Sequence, residues 1–182
     1  MKRMLATVLV GLAPTVVAHA ACQNVTGSVL LVPDGACQVQ TQITDAAFDT
    51  SQCFSVTLSI FGLPIGRGYA GVTNEVAVDE DLNLSVTPLN LIEGGATPTV
   101  RNQIQTARSA IVVGSGLFKT TLYSTDVVVI RPQGPGGAPV VTEQVVLSGT
   151  DGKGLFRNTT GSLVVLGNSI GQSAPVAGQL CF

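Results

Sequence analysis

A six-residue phrase that the chain uses twice constrains its fold more than any other feature. Gly114-Ser115-Gly116-Leu117-Phe118-Lys119 returns as Gly152-Lys153-Gly154-Leu155-Phe156-Arg157, and the second copy runs on into Asn158-Thr159-Thr160-Gly161-Ser162-Leu163-Val164-Val165-Leu166. Asn24-Val25-Thr26-Gly27-Ser28-Val29-Leu30-Leu31-Val32 has the same grammar as that tail. Paired glycines ahead of a large apolar residue, followed by β-branched residues, mark strands that bend sharply and then run on. Glycine relieves the steric limits at a bulge or corner. Gly114, Gly116, Gly152, Gly154 and Gly161 are therefore read as structural positions.

The ends of the chain bound its surroundings. Lys2 and Arg3, an apolar run from Met4 through Val17, and Ala18-His19-Ala20 predict a signal peptide over residues 1–20 and export, to the periplasm or beyond. Gly11 and Pro14 in a short run argue against a membrane anchor, and Cys22 lacks the upstream leucine of a lipoprotein site. Residues 21–182 are enough chain for a single domain with its own core.

Without Lys2 and Arg3, 7 basic residues face 11 acidic ones. That balance, the absence of tryptophan and the scarcity of other rings leave no basic stacking platform, so nucleic acid is not expected as a partner. Cys22, Cys37, Cys53 and Cys181 all lie beyond the signal, an even set suited to two disulfides in an oxidising compartment. Three pairings are possible; Cys22 with Cys181 and Cys37 with Cys53 is the one favoured, as a tie between terminal strands and a closed early loop. No Cys-x-x-Cys spacing supports a redox role.

Runs rich in Val, Ile, Thr and Leu between Gly, Pro, Asn and Asp predict strands near 25–32, 38–43, 54–61, 68–78, 82–88, 109–113, 117–131, 140–147, 161–166 and 176–182. Pro33-Asp34-Gly35 reads as a turn, and residues 132–138 read as a hairpin loop. Residues 89–108 fit no strand clearly, and 104–110 is read as a short helix. Many strands, corner glycines and no sustained helical period point to an antiparallel closed β-barrel or a sandwich, and the barrel is favoured because closure removes exposed edges.

The segment Gly152-x-Gly154-Leu155-Phe156-x-x-x-x-Gly161-x-Leu163 resembles the closing part of the allene oxide cyclase barrel family, and plant dirigent proteins share a related phrase. The likeness covers about the last 75 residues, from Ala107 onward. It implies a calycin-like eight-stranded barrel. It carries no catalytic residues onto this chain, because the matching positions shape a turn.

The one histidine, His19, leaves with the signal peptide. A chain without histidine runs no Ser-His-Asp or Cys-His chemistry and builds no His-based metal site, and no cofactor motif is present. Proton transfer is left to carboxylates, Lys, Arg and Tyr. Asp126 and Glu143 interrupt apolar strand sequences and are the weak catalytic candidates. With Arg131 set opposite Pro139 across the hairpin, the two acids fall on opposite faces, one of them inward. The plainer expectation is that each is solvated or paired with Lys119, Arg131 or Arg157. Asp79-Glu80-Asp81, with Glu75 and Asn83 nearby, lacks the spacing of a calcium loop and reads as a solvated turn. Arg67 between Gly66 and Gly68 reads as another bend. The sequons at Asn24, Asn83 and Asn158 matter only in a host that glycosylates its exported proteins.

The reading is an exported barrel of binding or structural role, taking a small apolar molecule in its lumen or meeting a partner at the cell surface. Tyr69, Tyr123 and Asp126 are the expected orienting groups. A cofactor-free isomerase or cyclase, as the resemblance implies, is the alternative, and an outer-membrane-associated barrel is the second; catalysis is the less favoured role.

Overall fold

Strands of alternating exposed and buried residues cannot bury their apolar face alone, and here they do so by curling into a tube. The computed structural model describes residues 21–79, 84–85, 100–131 and 138–182. The strands are β1 (Cys22–Pro33), β2 (Cys53–Ile60), β3 (Leu63–Asp79), β4 (Leu84–Ser85), β5 (Val100–Val113), β6 (Thr120–Arg131), β7 (Val140–Thr150), β8 (Thr160–Leu166) and β9 (Ala174–Cys181). Their order is β2-β1-β9-β8-β7-β6-β5-β3-β4, and a further β2–β3 pairing closes the sheet into an antiparallel eight-stranded barrel, with β4 as a short addition on β3. Both disulfides have the favoured pairing, Cys22–Cys181 and Cys37–Cys53. No helix among the described residues is long and apolar enough to cross a membrane.

The barrel interior is dominated by Val25, Val29, Val56, Leu58, Ile60, Leu163, Val165, Val176 and Leu180, all buried. Outward positions are small and polar on β2, as Ser55, Thr57 and Ser59 are, while Val32 on β1 and Val164 and Leu166 on β8 are exposed aliphatics. A second, smaller core lies outside the barrel wall. Between β1 and β2 the chain makes an excursion in which Val39, Ile43 and Phe48 pack with the Cys37–Cys53 bridge onto Ala110, Tyr69 and Tyr123.

Two local expectations are corrected here. Residues 38–43 form no strand; Val39–Gln42 is a single helical turn, α1. Val39 and Ile43 were spaced as alternate strand positions, but they are also four apart, which places both on one face of a helical turn. The Asp34 carboxylate starts that turn by accepting from the amides of Ala36 and Gln38. Residues 104–110 form no helix and lie within β5, whose inward face is the polar series Gln103, Gln105 and Ser109 with Ala107. The strand near 82–88 is described only at Leu84–Ser85, and residues 1–20, 80–83, 86–99 and 132–137 lie outside the described residues.

The two copies of the repeated phrase meet at one end of the barrel, in the β5–β6 and β7–β8 connections. The Leu155 amide donates to the Phe118 carbonyl, and the fully buried Thr120 hydroxyl donates to the Lys153 carbonyl while accepting from the Phe156 amide. Gly154 sits in the left-handed region at φ 68°, and a Cβ there would overlap the Lys119 carbonyl. Gly116 has φ 57° with open space around the same position. Gly154→Val is therefore expected to cost about 3 kcal/mol or more, backbone strain plus a clash with main chain, against roughly 1 kcal/mol for Gly116→Ala. Urea unfolding of the two variants checks the order, and a fully stable Gly154→Val would remove this account of the repeat.

Candidate functional site

Inside the barrel is a cavity of about 340 Å³, within the range of small-ligand pockets. Its wall is divided. The side made by β1, β2, β8 and β9 is aliphatic, with Val29, Val56, Leu58, Leu163, Val165 and Val176. The side made by β5, β6 and β7 adds Gln105, Ser109, Ser124, Asp126 and Glu143, and Gln52 reaches in from just before β2.

Register places the two acids on that side together. Arg131 pairs with Val140, so Asp126 lies opposite Val145 and Glu143 opposite Val128. The expected pairing of Arg131 with Pro139 was off by one residue, and a one-residue slip reverses the relative facing of every side chain. Proline has no N–H for the ladder, so pairing starts at Val140. Asp126 and Glu143 are diagonal neighbours on the lumen face. Neither is paired with Lys119, Arg131 or Arg157, as the plainer expectation had it; the ion pair seen among the described residues joins Arg108 to Asp45, outside the barrel.

Asp126 is 2 % exposed, and its Oδ1 has no hydrogen-bond partner. Burial pushes its carboxyl up to about 8; the Glu143 charge adds to the effect and a hydrogen bond from Ser124 opposes it. Glu143 keeps some surface toward the cavity but is otherwise wrapped in protein, and that burial raises it to about 7. Charging either carboxyl means placing an anion in a low-dielectric tube with no cation beside it among the described residues. Next to them the Ser109 and Ser124 hydroxyls bond across the β5–β6 pair.

A third carboxylate comes from an unexpected place. Glu75, read from sequence as part of a solvated acidic turn, is 4 % exposed. Its Oε2 accepts from Gln105 Nε2 at 2.8 Å and Gln52 Nε2 at 3.2 Å, and Gln105 Nε2 also donates to Gln52 Oε1 at 2.8 Å. A bulge explains the inward turn. Val72 and Glu75 both face in, although their spacing of three would place them on opposite faces of a regular strand, because the β3–β5 register shifts between Val72 and Asn74. Gln52 Nε2 continues the network to Asp49 Oδ2 in the excursion outside.

The other sequence candidates fall elsewhere. Tyr69 and Tyr123 do not line the lumen; they flank Ala110 on the outer wall, under the Cys37–Cys53 excursion. On β6 the alternation decides this, since Ser124 and Asp126 point inward and Tyr123 outward. Arg67 is exposed, and Asp79 ends β3, while Glu80, Asp81 and Asn83 lie outside the described residues. Gln52, Glu75 and Gln105 were not anticipated. The alternation of Gln103, Gln105, Ala107 and Ser109 with Ile104, Thr106 and Arg108 was the signal for Gln105, but its polar members face the inside. Compared with known protein families, with curated proteins and with solved structures, the chain matches none.

Proposed function

We propose that this protein is an exported barrel that binds a small, mainly apolar molecule in its lumen, and that its fold is of the calycin-like, allene oxide cyclase type. The observation that carries the reading is the divided cavity: an aliphatic wall to bury an apolar body, and a strip of polar groups on the facing strands to orient one end of it. The exported setting is supported by two disulfides and by the sequence of residues 1–20. Native mass spectrometry of protein taken from its own secreted or periplasmic fraction tests it. A native mass a few hundred daltons above the chain is the expected result. A bare chain that also fails to take up a neutral apolar fluorophore would remove the lumen-binding reading and leave a structural or cell-surface role.

A second reading, a cofactor-free isomerase or cyclase, is favoured by the Asp126–Glu143 pair. Carboxyls raised to about 8 and about 7 are suited to moving protons near neutral pH. Its test is chemical change of the recovered ligand: conversion by the wild type that Asp126→Asn abolishes supports catalysis, and an unaltered ligand supports carriage. The outer-membrane reading is the less favoured one. The main aliphatic cluster lies inside the tube and β2 turns Ser55, Thr57 and Ser59 outward, while Ile104, Val127, Val129, Val146, Val164 and Leu166 make another part of the outer wall apolar.

A further inference from the structure

We propose that the molecule this lumen takes has a cationic head, a protonated amine on an apolar body, whose N–H groups donate to Asp126 Oδ1 and to the Glu143 carboxylate. The inference rests on the lumen-binding reading and names the chemistry of the occupant.

The composition of the polar strip supports a cation. It consists of acceptor carboxyls, two amides and two hydroxyls, and among the described residues no Lys or Arg lines the cavity. Among the described residues Arg108 is engaged with Asp45 on the outside. Asp126 is buried, lines the cavity, and presents an oxygen that nothing in the protein satisfies. A buried polar atom without a partner is costly, and a donor brought by a ligand removes the cost.

Geometry adds a second acceptor. Glu143 lies diagonally across the β6–β7 pair from Asp126, so one ammonium group entering along the strip meets both carboxyls. Glu75 lies two strands away, held behind Gln105, and is not a direct contact. A carboxylate ligand would find no cation to pair with among the described residues and would bring a bare anion into a low-dielectric lumen whose own acids hold their protons, and a neutral alcohol would satisfy one acceptor only.

Proton balance follows from the same groups. Burial without a counter-charge holds Asp126 and Glu143 protonated to unusually high pH. An ammonium ligand supplies the missing positive charge, so its binding expels a proton from the pair into solvent. Affinity for the amine should then rise with pH from about 6 to about 9, a range through which an alkylamine stays charged as a lysine does.

The test is competition between octylamine, octanol and octanoate for the lumen, read by displacement of a neutral apolar fluorophore from the mature, oxidised protein. Octylamine is expected to bind at least about tenfold more tightly than octanol at pH 8, with octanoate weakest. The advantage should shrink toward pH 5, fall in Asp126→Asn and vanish in Asp126→Asn/Glu143→Gln, with uptake of the neutral fluorophore reporting whether each variant keeps its lumen. Equal affinities for amine and alcohol, or a preference for octanoate, would overturn the cationic-head proposal while leaving lumen binding standing. A protein that binds neither the fluorophore nor any of the three would overturn both.

Discussion

Replacing Cys22 and Cys181 together by alanine is expected to lower the stability of the barrel by about 5 kcal/mol, a large share of the stability of a domain this size. The bridge spans 159 residues, nearly all of residues 21–182, so its loss releases the unfolded state more than any other single crosslink could. Little is lost from the folded state. The two cysteines face each other at the end of the β1–β9 ladder, where seven further pairs, Gln23 with Leu180 through Val29 with Ala174, keep the terminal strands aligned. The cost should therefore appear with an increased urea m-value, because an unbridged chain unfolds to a more exposed ensemble. A loss under about 2 kcal/mol with an unchanged m-value would show that the unfolded chain is not held by this bridge. The Cys37–Cys53 bridge differs in kind. It closes only 16 residues, and its buried sulfurs are packed with Val39 and Phe48, so its removal would act mainly by loosening the outer excursion.

The features legible in sequence were those that repeat a simple physical rule. Corner glycines, β-branched runs and turn clusters led to a closed antiparallel barrel, and the even cysteine set led to its two bridges. The site was harder to see, for reasons that can be located. On β5 the inward face is Gln103, Gln105, Ala107 and Ser109, and the outward face includes Ile104, which is 41 % exposed. An alternation with polar residues inside defeats any reading that equates apolar with inward, and this strand supplies much of the lumen's polar strip. Glu75 was hidden by a bulge, which changes facing without changing composition. Asp126 and Glu143 were recognised as residues but not as a pair, because one residue of register across the β6–β7 hairpin decides whether they share a face. These departures gather around the cavity, as expected where a sequence serves something other than the stability of its core.

Raising the pH from about 4 to about 9 is expected to destabilise the folded barrel by on the order of 8 kcal/mol, with most of the loss between about 5 and 8. In the unfolded chain Asp126 and Glu143 give up their protons near the ordinary carboxyl values of about 4. In the folded barrel burial holds those protons to about 8 and about 7. Between these limits the folded state binds more protons than the unfolded one, so stability falls as pH rises; above them both states are ionised and the loss is complete. The groups that bear on the pair are Glu143 and Asp126 themselves and the Ser124 hydroxyl, with Glu75 held behind Gln105 and no cation lining the cavity among the described residues to reverse the sign. Asp49 acts in the opposite direction and in another window: bonds from the Ser51 hydroxyl and amide hold its carboxyl below the usual value, so its contribution is lost only in stronger acid. The stability profile should thus peak in mild acid, unlike that of a protein whose carboxylates are mostly ion-paired. Urea unfolding across this range, in wild type and in Asp126→Asn/Glu143→Gln, checks it. The double variant removes both ionisations while keeping the shapes of the side chains, so its profile should be nearly flat above pH 5 and cross above that of the wild type near neutrality. A wild-type profile that is level or rises toward pH 8 would mean that the two carboxyls are already charged and solvated inside the barrel.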